Sequence, residues 1–209
     1  NYSFRETMVD YFAIKRIDNK EFANSLSNLF FMYSFEALSA CQNLLSSHDV
    51  RRFLNQCEGN IDGIFGAVFL QATFPGIAGI YYGDEIGLGG GGDPFNREPF
   101  PWSNEEKWNK KLMEFTSELM NLRLQDPILK YGNFEMVSYN ENYVIFRRSL
   151  NNESLLCVVN RDLNTVDIKL NSNAENATVI YGNCSLNLDS GKLHVSDIAE
   201  NFGLIIKES

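Results

Sequence analysis

The sequence predicts a mixed fold in two parts: an α/β part in which short apolar strands alternate with amphipathic helices, then an antiparallel β-sandwich. Three observations point there. Up to about residue 126, four stretches carry apolar residues at helical spacing, with short, uninterrupted apolar runs between them. Polar residues gather where those runs end. Beyond residue 126, β-branched and aromatic runs recur about every 8–12 residues and are separated by turn residues, the pattern of a sandwich.

The elements follow in order. Phe4, Met8, Tyr11 and Phe12 share one helical face. Phe22, Leu26, Leu29, Phe30 and Tyr33 share a second, with Asp18 or Asn19 placed to cap it. Asn43-Leu44-Leu45 reads as a buried strand opening into the polar loop Ser46-Ser47-His48-Asp49. Asn60 is placed to cap a helix with Ile61, Ile64, Phe65, Val68 and Phe69 on its apolar face, stopped by Pro75-Gly76. Residues 77–82 are apolar throughout, as befits a parallel strand covered on both faces, and lead into Gly83-Asp84-Glu85 and a glycine-rich loop. Ser103 with Glu106 has the spacing of a capping box, opening a helix with Trp108, Leu112, Phe115, Leu119 and Leu122 on one face, closed by Pro127. The rhythm suits part of a parallel barrel or an open α/β sheet. Strands are expected at 134–138, 142–148, 154–160, 165–170, 177–181, 192–195 and 203–207. The boundary is placed between Asp126 and Tyr131, dividing the chain into 1–128 and 129–209.

Bulk properties narrow the chemistry. The 209 residues are 44% hydrophobic and include 16 Phe and 9 Tyr, so large rings should dominate the core. A net charge of -9 argues against a nucleic-acid partner. No apolar run approaches the ~18 residues that a membrane helix needs. Cys41, Cys57, Cys157 and Cys184 are scattered without a paired spacing and read as free buried thiols. No residues have convincing metal-ligand spacing, and no cofactor is implied. The loop from Gly87 to Asp93 lacks the Lys-Ser/Thr of a phosphate cradle. Asn1 is not a start methionine and no leader follows it, so the sequence reads as a processed chain or a piece of a longer one, and the cellular address stays open.

His48 and Asp49, adjacent at the end of a strand, occupy the position where barrels place catalytic groups, although the dipeptide by itself reads more readily as a capped loop. The wider segment decides more. Asn43, His48, Asp49, Arg52 and Phe53 resemble the seventh-strand motif of the alpha-amylase family of glycoside hydrolases, roughly Asn-x-x-x-x-His-Asp-x-x-Arg-Phe. Residues 80–87, Ile-Tyr-Tyr-Gly-Asp-Glu-Ile-Gly, resemble the family's eighth-strand motif. Asp93-Pro94-Phe95-Asn96-Arg97 resembles its substrate-reaching loop, and Asn1 to Arg5 resembles the end of its sixth strand, closest to neopullulanases and cyclomaltodextrinases. The resemblance covers essentially the whole chain.

It implies the C-terminal part of a (β/α)8 barrel, strands seven and eight with their helices, followed by the sandwich. It also implies retaining chemistry on α-1,4-linked glucans, with α-1,6 linkages also open: maltooligosaccharides, cyclodextrins or pullulan. Retention needs a carboxylate nucleophile and a proton-donating acid about 5–5.5 Å apart. In the family these follow the fourth and fifth strands, and neither has a match here; Glu36, Glu58 and Glu85 lie outside matching motifs. Asp49 matches the third carboxylate, which binds hydroxyls of the ring being cleaved. His48 matches the histidine on the same sugar, Asp93 and Arg97 match residues holding the next glucose, and Arg52 supports the site. Departures are Glu98 and Phe100, where close relatives often have Arg and Met, and a longer glycine run. The isolated chain is therefore expected to be inactive, and to self-associate or pair with the N-terminal half of the barrel. The rival reading is an amylase-like carbohydrate-binding or scaffold protein without chemistry.

Overall fold

In the computed structural model, which describes residues 1–163, 166–198 and 202–209, the first part is built from seven helices and two strands. Helix α1 (Tyr2–Met8) starts at Asn1, whose side chain accepts from the Phe4 amide at 3.1 Å. It runs on into a wide π turn over Val9–Ala13, closed by the Ile14 amide on the Val9 carbonyl at 3.0 Å. Both Tyr11 and Phe12 are buried there. Helix α2 (Asn19–Phe31) is capped by Asp18, which accepts from the Glu21 amide while the Glu21 carboxylate accepts from the Asp18 amide. Tyr33 falls just outside it.

Strand β1 (Gln42–Leu44) pairs in parallel with β2 (Ile77–Gly79), Asn43 opposite Ala78. The second strand is shorter than the apolar run 77–82 suggests, and Ile77, Ile80 and Tyr82 are exposed rather than covered. Three short helices went unforeseen: α3 (Phe35–Ala40), α4 (Phe53–Gln56) and α7 (Pro127–Tyr131). Between α4 and the later helices lies α5 (Asp62–Thr73), where Asn60 accepts from the Asp62 amide at 3.1 Å. It is expected to be amphipathic, but everything from Gly63 to Thr73 is buried, because both sides are covered. On one side Gln71 donates to Asn43 O at 2.9 Å and Gly79 O at 2.8 Å, spanning β1 and β2. On the other, Phe65 stacks on Phe202 and Phe69 packs so closely on Gly203 that a Cβ there would fall on its ring.

Helix α6 (Lys110–Gln125) corrects the capping assignment. Its cap is Asn109, which accepts from the Leu112 amide at 2.9 Å, while Glu105–Lys107 forms a separate 3-10 turn. Trp108 therefore precedes the helix instead of lying on its apolar face; it sits half-buried against Phe100 and Trp102 and donates to Pro101 O. Leu112 and Leu119 are buried as expected.

The second part begins at β3 (Asn133–Tyr139) and continues through β4 (Val144–Leu150), β5 (Glu153–Val159), β6 (Ile168–Asn171), β7 (Ala177–Tyr181), β8 (Ser185–Asp189), β9 (Lys192–Ser196) and β10 (Gly203–Glu208). All seven expected strands have a counterpart, Thr165 of the fourth lying outside the described residues, and β8 is additional. They form two antiparallel sheets, β3-β4-β5-β10-β7 and β6-β9-β8. Ile145, Leu156, Val158 and Ile206 of the first meet Ile168, Leu193 and Val195 of the second in one apolar cluster. The other face of the larger sheet joins the helices: Phe4, Phe74, Phe134 and Phe146 run as a chain of ring contacts 5.3–5.8 Å apart. One buried arginine, Arg148, crosses this junction, and a second, Arg123, braces its helical side. Arg148 donates to the carbonyls of Thr73, Gly132 and Asn133, and Arg123 to those of Ala72, Phe74 and Gly76. Burial pushes them below the usual arginine range, to about 9 for Arg148 and about 10 for Arg123. Among the described residues no helix is long and apolar enough to cross a membrane.

Candidate active site

The two loops that leave β1 and β2 lie side by side. The first carries Ser47, His48 and Asp49, and its ends are tied down by buried groups. Ser46 Oγ donates to Asp84 Oδ1 at 2.7 Å and accepts from the Phe53 amide at 3.0 Å. Arg52 is fully buried; it donates to Tyr82 O at 2.6 Å, lies 3.4 Å from Asp84 Oδ1, and has its guanidinium over the Tyr81 and Tyr82 rings at 4.5 and 4.8 Å. Its amide donates to Gly90 O. Asp84, within the segment that resembles the eighth-strand motif, is thus a buried anchor between the two loops. Loss of hydration raises its carboxyl to about 7, against the lowering effects of Ser46 and Arg52. Arg5 holds the loop from below, donating to Leu45 O and Arg51 O at 2.9 and 3.1 Å.

The candidate side chains stand on this frame in the open. His48 Nε2 and Asp49 Oδ1 are 3.3 Å apart, with 65% and 59% of their side chains exposed. Tyr2 Oη donates to Asp49 Oδ2 at 3.3 Å and lies 3.2 Å from Ser47 Oγ, while the Asp49 amide donates to that Ser47 oxygen at 3.1 Å. In the second loop Arg97 Nε sits 3.3 Å from Asp93 Oδ1, and it also donates to His48 O at 3.1 Å. His48, Asp49, Asp93 and Arg97 therefore form one exposed polar patch, with Arg52 beneath it rather than within it. An acceptor carboxylate, an imidazole and a guanidinium in that arrangement suit recognition of several hydroxyl groups at once.

Tyr2, Asn96 and Asp84 belong to this patch or its support; the resemblance covers their segments but gives none of them a site role. The signal for Tyr2 was its place in the segment resembling the end of the sixth strand; Asn96 lies inside the segment resembling the substrate-reaching loop. The carboxylates set aside from sequence stay apart in kind: Glu36 lies in the first turn of α3, Glu58 in the turn after α4, and Glu85 next to Asp84 with one buried oxygen that lacks a hydrogen-bond partner. Among the described residues no group of three or more His, Cys, Asp or Glu could hold a metal ion.

No protein-family model matches the chain. Curated proteins do. The chain is 33% identical over 172 residues to a cyclomaltodextrinase of Geobacillus thermopakistaniensis (strain MAS1), covering 81% of this chain and 29% of that protein. It is 37% identical over 162 residues to neopullulanase 2 of Thermoactinomyces vulgaris, covering 77% of this chain and 28% of that one. Among solved structures, a cyclomaltodextrinase superposes over 100% of this chain and 36% of its own length, with a TM-score of 0.87 and 27% identity. A debranching enzyme from Nostoc punctiforme superposes with a TM-score of 0.85 at 24% identity, a likeness of fold, over 100% of this chain and 47% of its own. Fold and matches together define the class: a mixed α/β portion of a glycoside hydrolase fold. The chain belongs to the alpha-amylase family, among relatives named as cyclomaltodextrinases, maltogenic amylases and neopullulanases. It spans about three-tenths of the length of those curated relatives.

Proposed function

We propose that this chain is the C-terminal portion of a retaining glycoside hydrolase acting on α-1,4-linked glucans such as maltooligosaccharides, cyclodextrins or pullulan, α-1,6 linkages included as a second target. Residues 1–128 form the closing part of its (β/α)8 barrel, and residues 129–209 form a β-sandwich domain. One observation carries the reading: Asp49 and His48 from the first loop meet Asp93 and Arg97 from the second on a single surface, joined by the Arg97 contact to His48 O. Chance similarity of separate motifs would not bring them together.

In this reading Asp49 accepts hydrogen bonds from hydroxyls of the ring being cleaved. Contacts that strengthen as that ring approaches an oxocarbenium-like state lower the barrier. The same negative charge favours the protonated form of a neighbouring acid, which must deliver its proton to the leaving oxygen. His48 donates to the same ring, Arg52 fixes the loop from below, and Asp93 with Arg97 holds the adjacent glucose. The nucleophile and the acid come from the rest of the barrel. The groove of about 460 Å³ along the outer side of β2, lined by Ile77, Ala78, Ile80, Met120, Leu124 and Tyr131, supports this, because an apolar strand edge of that kind asks for cover. The N-terminal half of the barrel is the proposed cover, and self-association takes its place in the isolated chain.

The test compares reducing-sugar release from cyclodextrin, pullulan and maltotriose by the isolated chain and by the full-length gene product. Activity is expected only in the latter, and Asp49→Asn should lower it at least ~10²-fold. Activity in the isolated chain would sink the division of catalytic groups, and silence from both would favour a carbohydrate-binding protein without chemistry. Light scattering checks the exposed edge: a strictly monomeric isolated chain would count against it.

A further inference from the structure

Between Gly91 and Phe100 every residue is exposed or half-exposed except Asn96, which is fully buried. A buried amide in an otherwise solvated loop needs a reason, since removing it from water is costly unless it is hydrogen-bonded. Its Nδ2 lies 2.9 Å from His48 O, 2.9 Å from Val50 O and 3.3 Å from Ser47 O. Two N–H groups are thus shared among three carbonyls of the loop that carries His48 and Asp49. Its Oδ1 is buried and has no hydrogen-bond partner. The backbone around it is equally confined: a Cβ on Gly90 would lie 3.0 Å from Asn96 Cα and 2.6 Å from Phe95 O. By contrast, Asp93 and Arg97 are about half-exposed. Their own tie to the first loop is a single exposed contact, Arg97 Nε to His48 O at 3.1 Å, whereas the three Asn96 contacts are shielded from water.

We propose that Asn96 is a positioning residue whose buried amide fixes the separation between Asp49 and the Asp93–Arg97 pair, and so determines how two adjacent sugar rings are held at once. The inference rests on the reading of both loops as substrate-binding. It deepens that reading by assigning the geometry of the two-ring site to a side chain that touches neither ring. Its consequence is selective. A ring bound only at Asp49 tolerates some drift between the loops, whereas two linked rings require both loops at a set distance, and a misplacement of about 1 Å can cost ~10²-fold in rate.

The experiment measures kcat and KM of the full-length gene product on p-nitrophenyl α-glucoside and p-nitrophenyl α-maltoside, which share a leaving group and differ by one glucose. Asn96→Ala should lower kcat/KM on the maltoside ~100-fold and on the glucoside ~10-fold or less. Asn96→Gln keeps the amide donors one methylene further out and should recover part of the maltoside loss. Equal losses on both substrates would mean only less folded enzyme and would overturn the inference, as would no loss on either. If neither variant accumulates in folded form, Asn96 is a folding residue and the positioning role falls. Asp49→Asn is the control for the underlying reading. It should suppress both substrates; if it spares both, the substrate-binding reading fails first and this inference falls with it.

Discussion

The two regions of the molecule solve the problem of burial differently. The β-rich region from β3 onward pairs its strands in two sheets and buries both faces of the larger one, against the smaller sheet and against the helices. The α/β region has two three-residue strands paired only with each other among the described residues, and leaves Ile77, Ile80, Leu124 and Tyr131 in contact with water. Yet every proposed substrate-binding group lies in this second, less enclosed region. Site loops sit on a frame held by buried polar contacts such as Ser46–Asp84 and Arg52–Tyr82, while the β region supplies bulk cover through α5. The proposed site thus sits in the region that relies most on its neighbours.

The strongest way to break that contrast is to cut the junction between the regions. Arg148→Leu should destabilise the full-length protein by about 3–5 kcal/mol in thermal or denaturant unfolding, because three buried carbonyls lose their donor. A loss below ~1 kcal/mol would show that apolar packing holds the regions together without Arg148.

Asp84 offers the next effect. Its folded-state carboxyl is raised to about 7 from 3.8, so the native state binds more protons between those values than the unfolded one. Stability from this group is fully present below pH 3.8 and declines as pH rises through 7. Asp84→Asn should flatten that slope by up to a few kcal/mol between pH 4 and 7. An unchanged slope would mean that Arg52 keeps the carboxylate charged throughout. Gly90→Ala, by contrast, presses on Phe95 O and Asn96 Cα and should cost about 1–3 kcal/mol, since the glycine run must shift away from the 95–96 turn to make room. Smallest of all, Lys15→Ala breaks a half-exposed pair with Asp162 at 2.8 Å and should shift stability by no more than ~0.5 kcal/mol.

The sequence was most informative where one local signal agreed with the packing. Asp18 with Glu21 is a true capping box, and the apolar runs of β4, β5 and β10 are plain because both their faces are buried. Ser103 with Glu106 has the same spacing and fails, since the Phe100, Trp102 and Trp108 rings gather and leave Trp108 extended, so that the helix restarts at Asn109. Strand β8 was missed because it is a sheet edge whose Ser, Asn and Asp face solvent. The four side chains His48, Asp49, Asp93 and Arg97 were readable as two separate segments. Their union was not, because it depends on Asn96, an amide whose burial no periodicity announces.

The π turn in the first helix has a consequence for which substitutions are independent. By adding a residue to one turn, it sends the Phe12 ring into α5 where a Cβ on Gly66 would have to stand, and brings Phe12 O within 2.8 Å of one on Gly63. Glycine inside a helix sacrifices about 1 kcal/mol relative to alanine. Those two glycines are therefore not free choices of α5 but shadows cast by another helix. Positions 12 and 66 form a single variable: alanine at 66 becomes admissible only when the ring at 12 is made smaller, and neither position can be judged alone.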